Sequence, residues 1–230
     1  MRIFVQELAS QGSQTLDRDR SHYLCRVRRA KTGDEVELFD GTGHVVHAAI
    51  RDANKKAATL DILESKHISG PDVRLALLLC AIKGDAADRA VQKSVELGAT
   101  EIRVLTSARS NIAHRERRID HLQRVAISAC EQCGQNLLPR VHHFSELREA
   151  VSSISQIIVL QPGADPLPAA LPHRDTLVCI GPEGGWTQDE LDRLKETGAT
   201  FAGLGRLVLR AETAPLAALA AIRAGWGWEL

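Results

Sequence analysis

A glycine-rich stretch late in the chain could bring a ligand close to the backbone. It reads Gly181-Pro182-Glu183-Gly184-Gly185 and follows the apolar run 176–180. The stretch has neither the lysine of a P-loop nor the spacing of a dinucleotide-binding G-x-G-x-x-G. Because the carboxylate of Glu183 would also repel a polyphosphate, the stretch favours a neutral or cationic ligand. An ordinary Gly-Pro turn without a ligand is the alternative.

An arginine and a glutamate near the C-terminus could carry electrostatic and acid–base chemistry. Arg210 and Glu212 follow Gly203-Leu204-Gly205 and precede an alanine-rich segment. A guanidinium can stabilise negative charge that develops on a reacting group, and a carboxylate can accept a proton. The alternative is a surface ion pair, which contributes little to stability.

Alternating apolar and helical segments predict the elements that would position these two stretches. The run 74–82 is apolar after its first residue, as in a strand buried on both faces of a parallel sheet. Further strands are predicted at 101–105, 156–160, 176–180 and near Phe201. Helices between them indicate an α/β domain with a mostly parallel sheet. Ligands bind at the carboxyl ends of strands in such sheets, so both stretches could line one pocket.

Residues that start and end helices support this order of elements. Thr187 and Glu190 have the spacing of a capping box, which predicts a helix directly after the glycine-rich stretch. Thr213 is the candidate N-cap of the alanine-rich helix, with a proline in its first turn. Gly98 and Gly198 each stand between a helical segment and a strand. We expect both to end their helices in the left-handed conformation.

The first 70 residues follow a different pattern, with short apolar segments typical of strands. Strands are predicted at 3–5, 34–40, 43–50 and 57–63, with one helix over 17–29. The dipeptide Asp40-Gly41 is typical of a tight hairpin. Ser69-Gly70-Pro71-Asp72 interrupts the pattern. We therefore expect a small β-barrel or meander over residues 1–70 and the α/β domain over residues 71–230.

Basic residues are clustered, although 29 lysines and arginines balance 29 aspartates and glutamates. One cluster is 26–31, and a second contains six arginines between Arg103 and Arg124. The zero net charge is mild evidence against a nucleic-acid-binding protein, but clustered arginines can still contact phosphates. A solvated helix face is the alternative for each cluster.

The sequence does not indicate secretion, a membrane span or a metal site. No segment has the pattern of a secretory signal, and no apolar run reaches the roughly 18 residues of a span. The five cysteines are scattered, as expected of reduced thiols in a cytoplasm. Cys130 and Cys133 form one C-x-x-C, for which His142-His143 is only a loose partner. We expect no metal.

Short motifs occur in a fixed order along almost the whole chain. Besides the two stretches above, they are His22 to Arg29 followed by Gly33-Asp34, Lys83-Gly84-Asp85, Gln92 to Gly98, Arg109-Ser110, and Glu131 to Gly134 with Pro139. Each motif is weak alone, but as an ordered set they make the chain resemble the RsmE family. That family consists of SPOUT-class methyltransferases that modify N3 of a uridine in 16S ribosomal RNA.

The resemblance implies a fold, a cofactor and partners. The fold would be a SPOUT-type parallel sheet with a C-terminal trefoil knot, preceded by a PUA-like RNA-binding domain. The cofactor would be S-adenosylmethionine (SAM), a sulfonium cation without phosphates, which agrees with an acid and no lysine in the glycine-rich stretch. The partners would be 16S ribosomal RNA or the small ribosomal subunit and a second copy of the chain. The expected location is the cytoplasm, with no membrane.

The resemblance also implies roles for individual residues. Arg210 and Glu212 would be catalytic, with Glu212 either accepting a proton or orienting Arg210. The RNA contacts would be Arg26, Arg28, Arg29 and Arg109. The residues expected to bind the cofactor are Leu160, Gly181, Pro182, Glu183, Gly184, Gly185, Leu204, Gly205, Leu209 and Thr213.

The chain departs from the family pattern at two positions, and the sequence leaves two alternative functions open. Leu207 and Gln135 stand where arginine is common in relatives. One alternative is a methyltransferase of the same class that acts on another RNA or on a ribose oxygen. The other is an RNA-binding protein without catalysis. An α/β hydrolase is excluded because the chain has no G-x-S-x-G.

Overall fold

The computed structural model describes residues 1–80, 84–109 and 115–228, and the chain divides into two compact units. Unit 1 comprises Met1–Gly70 and Cys130–Leu138, and unit 2 comprises Pro71–Ala129 and Pro139–Leu230. No sequence pattern indicated that Cys130–Leu138 belongs to unit 1. Parts of two motifs and of the strand predicted over 74–82 lie outside the described residues, namely Ala81, Ile82, Lys83 and Ser110.

Unit 1 is built on a five-stranded sheet and a short helix. Its elements are β1 (Arg2–Phe4), β2 (Ser13–Thr15), α1 (Arg18–His22), β3 (Glu35–Phe39), β4 (His44–Asp52) and β5 (Thr59–His67). The strand order is β1-β3-β4-β5-β2, in which only the pair β1 and β3 is parallel. The four predicted strands are present. The additional strand, β2, is polar and has no alternating apolar pattern.

The helix predicted over about 17–29 is present over residues 18–27, but its second half is π-helical, which the sequence did not indicate. Asp17 caps α1 by accepting a hydrogen bond from Arg20 N, and a π-helical turn over Tyr23–Val27 follows. A π turn closes i to i+5 hydrogen bonds, here from Arg28 N to Tyr23 O at 3.0 Å. The wider turn buries Leu24 completely and leaves the following arginines in solvent.

Side chains of unit 1 hold the segment Cys130–Leu138. Glu131 Oε1 accepts hydrogen bonds from Phe4 N and from Arg20 Nη1, both at 3.0 Å. The Arg2 guanidinium donates to Gln135 O at 3.0 Å and to Asn136 Oδ1 at 2.5 Å. These contacts join residues more than a hundred positions apart, so no local pattern could have predicted them.

Unit 2 alternates strands and helices. Its strands are β6 (Leu75–Cys80), β7 (Glu101–Leu105), β8 (Arg140–Phe144), β9 (Gln156–Leu160), β10 (Thr176–Ile180) and β11 (Thr200–Ala202). Its helices are α2 (Asp85–Glu96), α3 (Arg115–Cys133), α4 (Leu147–Ala150), α5 (Gln188–Glu196) and α6 (Thr213–Gly225). Helix α3 ends within the segment assigned to unit 1. Among the described residues, no helix is long and apolar enough to cross a membrane.

The sheet of unit 2 is parallel throughout, with the order β11-β9-β10-β6-β7-β8. All residues of β6 and β10 are buried, because helices and neighbouring strands cover a central strand on every side. The predicted α/β class with a parallel sheet is confirmed. Strand β8 was not predicted, since Arg140-Val141-His142-His143-Phe144 has only two strongly apolar residues.

Three of the four predictions about helix ends are confirmed. Gly98 and Gly198 have φ values of 84° and 75° and end α2 and α5 in the left-handed conformation. Thr187 and Glu190 form the capping box of α5. The N-cap prediction for Thr213 is wrong, because Glu212 occupies that position and Thr213 is the first residue of α6.

Candidate active site

A pocket of about 310 Å³ opens at the carboxyl ends of three adjacent strands of unit 2. Leu160, Ile180 and Ala202 are the last residues of β9, β10 and β11, and all three line the pocket. They are neighbours across the sheet, since Leu160 pairs with both Ile180 and Ala202. The strand register therefore brings the loops after these three strands to one place.

The glycine-rich stretch forms one wall of the pocket. Gly185 N donates to Pro182 O at 2.8 Å, which closes a turn, and Gly185 has a φ of 69°. A Cβ atom on Gly181 would lie 2.9 Å from Nε1 of Trp186 and 3.1 Å from its Cδ1. Trp186 is buried and lines the pocket. Glycine at position 181 thus allows the indole to pack directly against the backbone.

A second wall is formed by six residues of the segment 204–211, namely Leu204, Gly205, Leu207, Val208, Leu209 and Ala211. Gly205 has a φ of 98°, and a Cβ atom there would have no neighbour within 4 Å. Leu207 and Val208 also line the pocket, although their exposed fractions are 81% and 78%. Gly203 anchors the start of this segment, since its N donates to Asp165 O at 2.7 Å and its O accepts from Leu167 N at 2.9 Å.

Eight of the ten residues predicted to bind a cofactor line the pocket. They are Leu160, Gly181, Pro182, Glu183, Gly185, Leu204, Gly205 and Leu209. The other two, Gly184 and Thr213, are absent from the lining. The structure adds Gln161, Pro162, Ile180, Trp186, Leu191, Ala202, Leu207, Val208, Ala211 and Ala214. Ile180, Ala202, Gln161 and Pro162 could have been predicted to line the pocket, because they lie at or directly after the ends of predicted strands.

Among the described residues that line the pocket, Glu183 carries the single charge and no side chain is basic. The other polar groups of the lining are the side chain of Gln161, the indole N–H of Trp186 and backbone groups of the two walls. This arrangement suits a neutral or cationic ligand better than a phosphate, because an exposed carboxylate raises the energy of a nearby anion.

The two predicted catalytic residues stand beside the pocket, not in its lining. Arg210 is exposed, and its carbonyl oxygen accepts from Thr213 N and Ala214 N at 2.9 Å each. Glu212 forms an ion pair with Arg89 of α2, with 3.5 Å between Oε1 and Nη2. The sequence did not point to Arg89, since 123 positions separate it from Glu212.

The predicted RNA contacts fall in two different surroundings. Arg26, Arg28 and Arg29 are exposed in unit 1, at the end of the π-helical turn. Arg28 also lies over the ring of Tyr23, 5.8 Å from its centroid. Arg109 lies in unit 2, where its Nη1 donates to Gly184 O at 2.5 Å. The guanidinium of Arg109 is therefore attached to the glycine-rich wall of the pocket.

The cysteines are free thiols, and three of the five are buried. Burial raises the pKa of Cys130 and of Cys179 to about 12, so both stay protonated near neutral pH. Cys133 of the C-x-x-C is exposed while Cys130 is buried. No group of three or more His, Cys, Asp or Glu side chains in the described part of the chain could hold a metal ion.

Comparison with known proteins agrees with this fold and pocket. Residues 70–223 match the RNA methyltransferase domain, and residues 16–63 match the RNA methyltransferase PUA domain. The chain therefore belongs to the RNA methyltransferase family. Within it, the resemblance to the RsmE family is confirmed by relatives named ribosomal RNA small subunit methyltransferase E. The relative from Synechocystis sp. is 30% identical over 96% of this chain and 76% of its own length.

Two solved structures are similar over almost their whole length. Ribosomal RNA small subunit methyltransferase E from Neisseria gonorrhoeae, bound to S-adenosyl methionine, has a TM-score of 0.88 and 31% identity. The alignment covers 97% of this chain and 96% of that one. A methyltransferase from Legionella pneumophila in complex with SAM has a TM-score of 0.87 and 26% identity, with coverages of 97% and 96%.

Proposed function

We propose that the protein transfers a methyl group from SAM to N3 of a uridine in 16S ribosomal RNA. The observation that carries this proposal is the pocket at the ends of β9, β10 and β11. Its lining contains eight predicted cofactor residues and a carboxylate as its only charged group among the described residues. The names and bound cofactor of the similar proteins support both the cofactor and the substrate class.

The pocket fits SAM in size and in chemistry. A volume of about 310 Å³ is at the lower end of the usual range for small-molecule sites. The Gly185 and Gly205 positions leave open space where a side chain would stand, so a ligand can approach the backbone of both walls. Glu183 attracts a sulfonium cation. When bound, SAM supplies an activated methyl group.

In the proposed reaction, residues next to the pocket stabilise charge on the uridine and accept its N3 proton. N3 carries a proton, and this proton must leave before or while the N3–methyl bond forms and the methyl–sulfur bond breaks. Arg210 stabilises the negative charge that develops on the uracil oxygens. Glu212 accepts the proton directly or through a water, or it orients Arg210. N3 lies on the pairing edge, so the base must be unpaired or flipped out.

RNA recognition belongs to residues 1–70 and the methyl transfer to residues 71–230. Arg26, Arg28 and Arg29 are exposed and close in sequence, as expected of side chains that contact phosphates. The protein acts in the cytoplasm, where small ribosomal subunits are available. A homodimer and the trefoil knot are further parts of the proposal, and both come from the family resemblance.

In the decisive experiment, the purified protein is incubated with radiolabelled SAM and with small ribosomal subunits from cells that lack this activity. Mass analysis then identifies the labelled nucleoside. N3-methyluridine at a single site is the expected product. Another methylated nucleoside would overturn the proposed target atom, but methyl transfer from SAM to RNA would still hold. SAM binding without transfer would point to a different RNA. The absence of both would favour an RNA-binding protein without catalysis.

A further inference from the structure

We infer that Arg109 is a positioning residue that holds the glycine-rich wall in its ligand-binding shape. This inference rests on the proposed function, because it concerns the same SAM pocket. It assigns to Arg109 a role in cofactor binding in place of the RNA contact that the sequence suggested. Two separate attachments carry the argument, one from Arg109 to the glycine-rich wall and one from Ala108 to the first turn of α5.

The first attachment is made by the Arg109 side chain. Its Nη1 donates to Gly184 O at 2.5 Å, and a charged donor makes a stronger hydrogen bond than a neutral one. The aliphatic part of the same side chain covers Gly184. A Cβ atom built there would lie 3.4 Å from Arg109 Cδ and 3.7 Å from its Cβ. Cβ and Cδ of Arg109 thus lie on the side of Gly184 where a side chain would stand.

The second attachment is made by the neighbouring backbone. Ala108 N donates to Glu190 Oε1 at 3.0 Å, and Glu190 Oε2 accepts from Thr187 N at 2.8 Å. Glu190 is 8% exposed, so its hydrogen bonds are shielded from competing water. One carboxylate therefore ties the first turn of α5 to the segment after β7. The glycine-rich wall is held at Gly184, and the start of the helix that follows it is held at Thr187.

This arrangement accounts for the absence of Gly184 from the pocket lining. Gly184 is the residue of its stretch that is missing from the lining, and its carbonyl accepts from Arg109. Pro182, Glu183 and Gly185 flank it and do line the pocket. Fixing the Gly184 carbonyl restricts the peptide groups on both sides. A wall that is already ordered loses less entropy when a ligand binds.

The test compares SAM affinity in the absence of RNA, measured by calorimetry on the full chain. Arg109→Ala should weaken SAM binding about fivefold to tenfold, the loss expected of one hydrogen bond in an exposed position. Arg109→Lys keeps one donor, so its loss of SAM affinity should be about half that of Arg109→Ala on a logarithmic scale. Arg148→Ala, which removes an exposed arginine from α4, is the matched control and should bind SAM as the wild type does.

Two further readouts separate positioning from a general loss of structure. Hydrogen–deuterium exchange of the peptide 181–190 should be faster in cofactor-free Arg109→Ala, with unchanged exchange in β9. In steady-state assays KM for SAM should rise while kcat changes little.

Arg109→Ala that binds SAM normally but binds RNA weakly would overturn the inference in favour of an RNA contact. Normal binding of both would overturn it as well. A wild-type protein that binds no SAM would overturn the proposed function itself, and the inference with it.

Discussion

At the scale of single residues, glycines shape the walls of the pocket, whereas Arg210 and Glu212 lie next to it. Gly181 allows close packing of Trp186, and Gly185 and Gly205 leave open space next to the backbone. Arg210 and Glu212 stand outside the lining, so in the proposed reaction they would contact the uridine and not the cofactor. The cofactor and the reacting base would therefore meet different sets of residues.

Arg210→Ala should reduce methyl transfer far more than SAM binding. Removal of a single group that stabilises transition-state charge costs about a hundredfold or more in kcat. The rate would be measured with saturating SAM and small subunits, and SAM affinity by calorimetry. Arg193→Ala on α5, also an exposed arginine, is the control. Equal losses of rate and SAM affinity would remove the catalytic role of Arg210.

Gly181→Ala should destabilise the protein and weaken SAM binding. The added methyl group would lie 2.9 Å from Trp186 Nε1, so the buried indole must move. Overpacking of this kind costs about 1–3 kcal/mol in free energy of unfolding. Gly184→Ala is a useful comparison, because its methyl group would be 3.4 Å from the flexible Arg109 side chain. Urea unfolding should rank the loss at 181 well above that at 184, and equal losses would contradict the packing argument.

At the scale of elements, strand starts and strand ends of unit 2 have separate functions. The carboxyl ends of β9, β10 and β11 build the pocket. Residues that precede β6 and β10 stabilise the opposite edge. Asp175 accepts from Arg74 N at 2.8 Å and from Arg74 Nε at 2.7 Å, and Arg74 Nη2 donates to Ser153 O at 2.6 Å.

Asp175→Asn should remove a pH-dependent part of the stability. The hydrogen bond from Arg74 N and the adjacent guanidinium hold the pKa of Asp175 below its ordinary value of 3.8. A depressed pKa in the folded state stabilises the protein above the ordinary value, and this part is lost as the pH falls through the folded-state value. The difference in free energy of unfolding between wild type and variant should thus be constant near neutral pH and shrink below about pH 4. Urea titrations at several pH values measure it, and a difference independent of pH would contradict the assignment.

At the scale of the whole molecule, the proposed function divides between the two units. Unit 1 carries the exposed arginines 26, 28 and 29, and unit 2 carries the pocket. A net charge of zero is compatible with RNA binding, because phosphate contacts depend on local clusters of basic residues.

Simultaneous replacement of Arg26, Arg28 and Arg29 by alanine should weaken RNA binding and leave SAM binding unchanged. Removing one arginine–phosphate interaction lowers the salt dependence of log K by about 0.7 to 0.9, so the slope should fall by about two to three. Binding to small subunits at several salt concentrations gives both values. The control replaces three exposed lysines of the same unit, Lys55, Lys56 and Lys66. Equal effects of both triple variants would show that the arginine cluster has no special part.

Local sequence features determined most of the elements and much of the pocket. Apolar runs predicted β7, β9 and β10 with the bounds that the structure has, and Thr187 with Glu190 predicted the start of α5. Ordered motifs predicted the family and eight residues of the lining. These features are readable because apolar runs, glycine conformations and helix caps depend on neighbours within a few positions.

The tertiary structure alone decided which distant residues meet. Arg109 is attached to Gly184 from 75 positions away, and Glu212 is paired with Arg89 from 123 positions away. The segment Cys130–Leu138 belongs to the N-terminal unit. Strand order and register set such contacts. Strand order and register depend on which apolar faces of distant elements are buried together. No local pattern of residue types therefore predicts these contacts.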